Sequence, residues 1–387
     1  MSTRKEIAVA CGALFMATKA LGQPILAGLE RQWTLSGDSI SFDINSIVVA
    51  PDGRVGVVGS DLRIRFFGLR GELLRTAGGD GAGPGEFRFI GAQGANSDAW
   101  WFLDGNLKRI TIFDHDGRIK ETRVDHQPMD PRVRYFMTSP VGVTRDGVVT
   151  RSALTAGGGN DLVVIDRSDT SRVRVFAHLP PEAPRVPVNV GTLSSSIRIP
   201  FAHNPLWDVS TDGTHIGILT DSLVSPSKGF FSLTLIDVAK DTVLSIRRGF
   251  EPVVISQAAA DSALRVVAST AAGPPAMAKA KLAVIRSGEV QRRIPAARRP
   301  FEEMIIGQDT TIWLHREEAG PGKVWVVYSR GGVPLGFVRV PTSFRLREAT
   351  RRALWGLQRD ADGVNSVVRY AVRSLQPMSQ LSPGTAK

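Results

Sequence analysis

A repeat with a spacing of 46 residues constrains this chain more than any other feature of its sequence. Residues 47–71 recur at 93–117, as internal repeats do in propellers and solenoids. The matched pairs are Arg63 and Arg109, Ile64 and Ile110, Phe67 and Phe113, and Gly71 and Gly117. Asp-Gly dipeptides that start at Asp52 and Asp116 predict tight turns, because such turns need positive φ. Each copy therefore predicts four short strands, which is the size of one propeller blade.

Looser copies of this unit follow along the chain, so that six blades are predicted. Their first residues lie near 44, 87, 137, 205, 301 and 344. The last copy is one strand short, and the segment 31–35 is placed to complete it and close the ring without an unpaired edge. The 39 glycines and 23 prolines among 387 residues favour many short strands over a helical bundle. The predicted fold class is all-β, a six-bladed β-propeller of four-stranded antiparallel blades over residues 23–375, closed by an N-terminal strand.

A segment of good helix formers interrupts the pattern between blades four and five. Ser256 is placed to cap one helix of about 12–15 residues that begins at residue 257, and Gly273-Pro274-Pro275 is predicted to end it. One helical insertion is therefore expected between these blades. Residues 180–204, rich in proline and serine, predict a connection, and residues 376–387 predict a disordered tail.

The first 22 residues are arranged like a secretory signal peptide. Arg4 and Lys5 are basic, an apolar stretch follows over residues 7–18, and Ala20-Leu21-Gly22 has the small residues that suit cleavage. The mature protein is therefore predicted to be exported, either periplasmic or extracellular. Acylation of Cys11, as in a lipoprotein, is the less favoured alternative, because few apolar residues precede it. No stretch reaches the roughly 20 apolar residues of a membrane-spanning helix, so no transmembrane helix is predicted.

Two segments of the first blades carry a recognisable motif. Residues 104–117 are Asp-Gly-Asn-Leu-Lys-Arg-Ile-Thr-Ile-Phe-Asp-His-Asp-Gly, and the linker 81–87 is Gly-Ala-Gly-Pro-Gly-Glu-Phe. These segments resemble NHL-type repeats and the interblade linkers of bacterial six-bladed propellers. The resemblance implies an exported bacterial member of this type. In the first copy, Val58 stands where the family has the aspartate that matches Asp104. Such motifs specify a fold, and one fold hosts many functions.

Two arginines of the repeat, Arg63 and Arg109, lie at equivalent positions of the two copies. We predict that each holds a loop between strands by donating hydrogen bonds to backbone carbonyls.

The sequence contains no compact catalytic or cofactor-binding constellation. The glycine-rich residues 78–85 lead into a strand, whereas a nucleotide-binding loop opens a helix. The six histidines show no metal-binding spacing such as His-x3-His. A metal site gathered from loops of different blades would escape such a search. Its candidate ligands are His203, His315, Asp104 and Glu317.

These observations favour an exported propeller that binds something on one face, with no evident catalytic site and no predicted cofactor. The alternative is a metal-dependent hydrolase or lyase of the lactonase or amidating-lyase type, which would use Ca²⁺ or Zn²⁺, so the question of enzyme activity stays open. The chain has 48 Lys and Arg against 37 Asp and Glu, a net charge of +11. An exported protein does not routinely meet nucleic acid. The expected partner of this predicted monomer is a protein, a polysaccharide or a small-molecule ligand.

Overall fold

The computed structural model describes residues 28–381, apart from 36–42, 125–132, 135–139, 144–146, 155–159, 167–171, 239–241, 272 and 319. Six blade sheets and one separate two-stranded sheet make up its β-structure. The predicted all-β class and the six-bladed propeller are therefore confirmed. The predicted signal peptide lies outside the described residues. Within the described ranges, no helix is both long and apolar enough to cross a membrane.

The first strand, β1 (Leu29–Leu35), precedes two blades that follow the sequence repeat. Blade 1 comprises β2 (Ile44–Val49), β3 (Val55–Gly59), β4 (Arg63–Phe67) and β5 (Leu73–Gly78). Blade 2 comprises β6 (Ile90–Ala95), β7 (Trp100–Asp104), β8 (Arg109–Phe113) and β9 (Ile119–Val124). Gly53 and Gly117 occupy the predicted turns with φ of +90° and +75°, a region that suits glycine because it has no Cβ.

Blade 3 departs from the regular pattern at its first strand. The blade comprises β10 (Val133–Arg134), β11 (Pro140–Val143), β12 (Gly147–Leu154), β13 (Asn160–Asp166) and β14 (Val173–Leu179). Both β10 and β11 pair with β12, so two short segments share the first position of the sheet. A separate hairpin follows, made of β15 (Val186–Val190) and β16 (Leu193–Ile197). It lies in the segment that its composition predicts to be a plain connection.

Blades 4 to 6 complete the ring. Blade 4 comprises β17 (Leu206–Val209), β18 (His215–Ser225), β19 (Lys228–Asp237) and β20 (Thr242–Phe250). The helices α1 (Gln257–Ser269) and α2 (Pro275–Arg286) follow it. Blade 5 comprises β21 (Glu303–Ile306), β22 (Ile312–Arg316), β23 (Lys323–Tyr328) and β24 (Pro334–Val340). Blade 6 contains β25 (Phe344–Ala349), β26 (Ala353–Arg359) and β27 (Asn365–Val372).

The ring closes through the N-terminal strand, as the sequence predicts. β1 pairs antiparallel with β27, with Leu35 opposite Val367, and becomes the fourth strand of blade 6. The first strands of blades 1 and 2, 2 and 3, 4 and 5, and 5 and 6 contact each other, as do β2 and β25 across the seam. The first strands therefore surround the centre of the ring, and β1 gives blade 6 its fourth strand and covers the edge of β27.

Apolar side chains hold neighbouring blades together. Between blades 1 and 2, the ring of Phe66 lies 5.4 Å from that of Trp100 and 5.6 Å from that of Phe113, and it packs edge to face with Phe102 at 6.3 Å. All four side chains are at most 1% exposed. Burial of each contributes about 1.5–3 kcal/mol, so the blade interfaces make a rigid frame.

The predicted helical insertion between blades 4 and 5 is confirmed, but it contains two helices. α1 begins after Ser256, whose hydroxyl accepts a hydrogen bond from the Ala259 amide at 3.2 Å, as predicted. α1 has 13 residues and ends at Ser269, before Gly273-Pro274-Pro275, as predicted. The second helix was not predicted, and Pro275 is its first residue. Proline suits that position, since its missing N–H would have no acceptor within the helix.

The two helices and the hairpin β15–β16 form one small unit, which we call the insertion module. Its core joins Val186, Val188 and Ile197 of the hairpin region to Met277 of α2. Residues of two different interblade linkers therefore share one apolar core.

The end of the described chain packs on blade 5. Gln376 forms a β-bridge with Phe337, and Leu381 is 7% exposed in the core beside blades 4 and 5. The described structure therefore continues to residue 381, within the segment 376–387 for which the sequence predicts a tail. Residues 382–387 lie outside the described ranges.

Candidate functional site

One face of the propeller carries the insertion module, which lies outside the six blades. The strands of a blade alternate in direction, so the turn after the second strand lies on the same face as the linker to the next blade. We call this face the linker face. Around blades 3 to 5 it carries the linkers 180–205 and 251–302, the turn 226–227 and the loop 317–322.

A cleft of about 440 Å³ opens where the insertion module meets blades 3 and 4, and we call it the junction cleft. Its apolar lining consists of Leu179, Ile199, Phe201, Leu206, Trp207 and Val267. Arg299 and Glu302 add a positive and a negative group to the same lining. A volume of this size, with an apolar wall and a few polar groups, is typical of small-molecule sites.

Phe201 has an unusual backbone conformation in the lining of the junction cleft. Its φ is +59°, in the left-handed region that bulky residues rarely occupy. The guanidinium carbon of Arg298 lies 4.9 Å from the centre of its ring, which is a cation–π distance. Strained residues persist only where their surroundings hold them, and they are frequent in ligand-binding sites.

His203 lies at the centre of a buried ionic cluster beside this cleft. Its Nδ1 is hydrogen-bonded to a carboxylate oxygen of Asp221, and its Nε2 lies 2.9 Å from the Ala297 carbonyl oxygen. Both partners are acceptors, so both ring nitrogens donate, which requires the imidazolium form. Burial opposes this charge, but the Asp221 carboxylate raises the pKa of His203 above its ordinary value.

Arg299 joins the same cluster from the segment that follows α2. Its side chain is 7% exposed, it donates to the Asn204 carbonyl, and its guanidinium lies 3.7 Å from the second oxygen of Asp221. Burial lowers the pKa of Arg299, and burial raises that of Glu302, while the two charges attract each other. The cluster therefore ties the linker before blade 4, blade 4 itself and the segment after α2 to one another.

A second cleft of about 290 Å³ lies on the other side of Arg299, and we call it the arginine cleft. It opens between the end of β20, the segment after α2 and the loop after β22. Its lining is Phe250, Glu251, Val253, Arg298, Arg299, Pro300, Arg316, Glu317 and Glu318.

Two of the four predicted metal-ligand candidates lie at this part of the linker face. His203 is in the ionic cluster, and Glu317 is bonded to Arg298 in the arginine cleft. Both nitrogens of His203 already have protein partners, so neither presents a free lone pair to a metal ion.

The other two candidates lie inside blades. Asp104 is completely buried and accepts hydrogen bonds from the amides of Arg88, Asn106 and Leu107, at 2.6, 2.9 and 2.9 Å. It therefore organises the turn after β7. His315 lies on β22, with its ring 5.4 Å from that of Trp325, and burial lowers its pKa.

The structure thus does not bring the four candidates to one point. Among the residues that the structure describes, no three His, Cys, Asp or Glu side chains are grouped so that they could hold a metal ion.

Of the two arginines expected to hold loops, one does so. Arg109 donates to the carbonyls of Ala82, Gly83 and Glu86, at 2.9, 2.6 and 2.7 Å, and so clamps the glycine-rich linker. The prediction is confirmed for Arg109. It is wrong for Arg63, whose side chain is exposed in the structure.

Sequence reasoning missed a pair of carboxyl groups at the centre of the ring. Asp208 and Glu348 lie on the first strands of blades 4 and 6. Asp208 accepts a hydrogen bond from the Ile306 amide at 2.8 Å, and Glu348 accepts from the Thr211 hydroxyl and from its neighbouring amide. Burial raises the pKa of Asp208 to about 7 and that of Glu348 to about 8. Both residues lie on the first strand of a blade, and a search for acidic residues on these strands could have found them from the sequence.

Comparison with known proteins adds a likeness of fold. No protein-family model matches the chain, and no curated protein matches its sequence. A DUF4221 family member from Bacteroides vulgatus is 9% identical, with a TM-score of 0.48 over 89% of this chain and 97% of its own. A Bacteroides fragilis protein, described as an assumed exported protein, is 9% identical, with a TM-score of 0.46 over 90% and 97%.

These likenesses are too distant to carry a conclusion about function. Fold and site together define the class of the chain: a six-bladed β-propeller whose linker face bears an insertion module and two adjoining clefts.

Proposed function

We propose that this protein is an exported binding propeller of the NHL-like type, which holds a small-molecule ligand in the junction cleft without catalysis. The observation that carries the proposal is the cleft itself, about 440 Å³ in volume. Its lining combines aromatic and apolar side chains with polar and charged ones, which are Glu182, Arg198, Asn204, Arg299 and Glu302. Arg299 and Glu302 supply a donor and an acceptor that orient a bound molecule.

The buried ionic cluster supports this assignment because it fixes the walls of the cleft. The side chains of Asp221 and Arg299 are 1% and 7% exposed, and that of His203 is 16% exposed. A site whose walls are held in place before binding loses less conformational entropy when the ligand arrives.

Two tryptophan substitutions on α1 test whether the junction cleft is the binding site. Val267 lines the cleft, whereas its neighbour Val266 is 60% exposed, so Val267→Trp fills the cleft and Val266→Trp does not. A panel of mono- and disaccharides, amino acids and small carboxylic acids is screened by saturation-transfer NMR. We expect at least one probe to bind the unmodified protein and the V266W variant, and not V267W.

The screen can also refute the proposal. Binding of no probe, or equal binding of the same probe by V267W, would remove the junction cleft as the ligand site. Metal analysis of the purified protein covers the alternative enzyme class, since a stoichiometric Ca²⁺ or Zn²⁺ would favour the metal-dependent hydrolase or lyase.

The export part of the proposal rests on the first 22 residues. Fusion of these residues to alkaline phosphatase lacking its own leader is expected to produce active enzyme in the periplasm. A matched fusion with Arg4 and Lys5 replaced by glutamate is expected to be exported less. An inactive, cytoplasmic fusion with the native residues would contradict export.

A further inference from the structure

Two almost completely buried arginines line the arginine cleft. The side chain of Arg299 is 7% exposed, and Arg316 as a residue is also 7% exposed. Within the described part of the chain, the Nε of Arg299 and the Nη1 of Arg316 are buried without a hydrogen-bond partner. Guanidinium groups stay charged in proteins, so each of these nitrogens is a charged donor that has lost its water.

Glu318 attracts the charge of Arg316, but within the described residues no carboxylate that lines the arginine cleft accepts a hydrogen bond from the two buried nitrogens. Glu317 is bonded to Arg298. Glu318, with its side chain 4% exposed, accepts a hydrogen bond from Arg339 at 2.7 Å. The third carboxylate, Glu251, is exposed. Two of the three acidic groups are therefore already engaged by other arginines.

The carboxylate nearest to Arg299 is also shared. One oxygen of Asp221 is bonded to His203, and the other lies 3.7 Å from the Arg299 guanidinium. Since His203 donates through both nitrogens as an imidazolium, one carboxylate serves two cations. Glu302 also attracts the charge of Arg299, so the cluster holds two carboxylates, but within the described residues neither accepts a hydrogen bond from the Arg299 Nε.

We propose that the arginine cleft binds an oxyanion, the carboxylate, phosphate or sulfate group of a small ligand, through Arg299 and Arg316. Planar guanidinium groups match the oxygen spacing of such anions and form strong, charge-assisted hydrogen bonds with them. The volume of about 290 Å³ exceeds that of the anionic group alone, and Phe250 and Pro300 offer an apolar wall to the rest of the ligand. This inference does not depend on occupation of the junction cleft.

The test measures anion binding by the mature chain at constant ionic strength. Sodium phosphate, sulfate and malonate replace chloride in steps, and the melting temperature and the heat of binding are recorded. We expect at least one of these anions to raise the melting temperature with saturation. We expect Arg316→Gln to weaken that binding by about tenfold to a hundredfold, because one charged hydrogen-bond donor is lost.

Three variants complete the design. Arg63→Gln removes an exposed arginine of blade 1 and is expected to bind as the unmodified protein does. Arg316→Lys keeps the buried positive charge, so it serves as the test variant if Arg316→Gln does not fold. We expect it to bind the anion about tenfold more weakly than the unmodified protein, since the planar guanidinium is lost. Val267→Trp fills the junction cleft and is expected to retain anion binding, which separates this inference from the proposed function.

The outcomes are distinct. Saturable binding that is lost in the Arg316 variants and kept in Arg63→Gln supports the proposal. A preference for phosphate and sulfate indicates a tetrahedral anionic group, whereas a preference for malonate indicates a carboxylate. Two results overturn the proposal. One is that none of the three anions raises the melting temperature, and the other is that Arg316→Gln and Arg316→Lys bind the anion as tightly as the unmodified protein does.

Discussion

Replacement of Glu348 by glutamine is expected to stabilise the protein at alkaline pH. The carboxyl is 3% exposed in the centre of the ring, and it accepts hydrogen bonds from the Thr211 hydroxyl and the Ala349 amide. Glutamine keeps an oxygen for the amide, and its NH₂ group donates to the hydroxyl as a protonated carboxyl would. The variant therefore resembles the uncharged form of Glu348 at every pH.

The magnitude follows from the pKa of this group. Burial raises the pKa of Glu348 from 4.5 to about 8, and the nearby carboxyl of Asp208 acts in the same direction. The unfolded chain releases the proton near pH 4.5 and the folded chain near pH 8, so the stability is fully present below pH 4.5 and falls as the pH rises to 8. At 1.36 kcal/mol for each pKa unit, the loss amounts to about 5 kcal/mol.

Urea unfolding, followed by tryptophan fluorescence, measures this effect. The free energy of unfolding of the two proteins is compared below pH 4.5 and above pH 8. We expect the difference between them to grow with pH in favour of E348Q. The control Glu251→Gln changes an exposed glutamate and is expected to follow the unmodified protein. A difference that does not change with pH, or a variant that is less stable above pH 8, would show that Glu348 is ionised in the folded protein.

Three further predictions concern the other polar contacts and the closure of the ring. His203→Gln removes an imidazolium whose pKa is higher in the folded protein than the ordinary 6.5, so its stabilisation is fully present below pH 6.5 and is lost as the pH rises through the folded pKa. The variant is expected to lose this pH dependence and to show faster hydrogen exchange in the insertion module at acid pH. Arg109→Ala frees three carbonyls and is expected to lower the free energy of unfolding by about 3 kcal/mol, whereas Arg63→Ala in the matching position changes it by less than about 0.5 kcal/mol in the same urea assay. Deletion of residues 29–35 exposes the edge of blade 6 and is expected to give oligomers on size-exclusion chromatography; a monomer as stable as the full chain would contradict the role of the closing strand.

The blades were predictable because their contacts are local in sequence. Within a blade, apart from β1 and β10, each strand pairs with the next one along the chain, so alternation and turn residues repeat with the blade. The blade predicted near 344 begins at Phe344, and that predicted near 87 begins at Ile90. The second helix was not predictable from Pro274-Pro275, because proline is common both after a helix and at its first turn.

The candidate site was less predictable because it depends on contacts between distant segments. His203 is 18 residues from Asp221 and 94 from Ala297, and no regular element relates these positions. Asp208 and Glu348 belong to blades 4 and 6 and meet only when the ring closes. A motif search finds residues at fixed spacing, and neither group has one.

The site also depends on a short segment that the blade repeat does not contain. Residues 297–302 follow α2 and form a wall of both clefts, since Arg299 lines each of them. Their position is set by His203 and Asp221 on one side and by the loop after β22 on the other. The blades are held by apolar contacts with their neighbours, and this segment contributes to them at its end, where Phe301 packs on Phe231 and the Glu302 amide donates to the His315 carbonyl. The preceding residues 297–300 lie outside the blade sheets. Substitutions in the linkers can therefore change what the linker face binds while the ring remains intact, which is how one propeller scaffold serves different ligands.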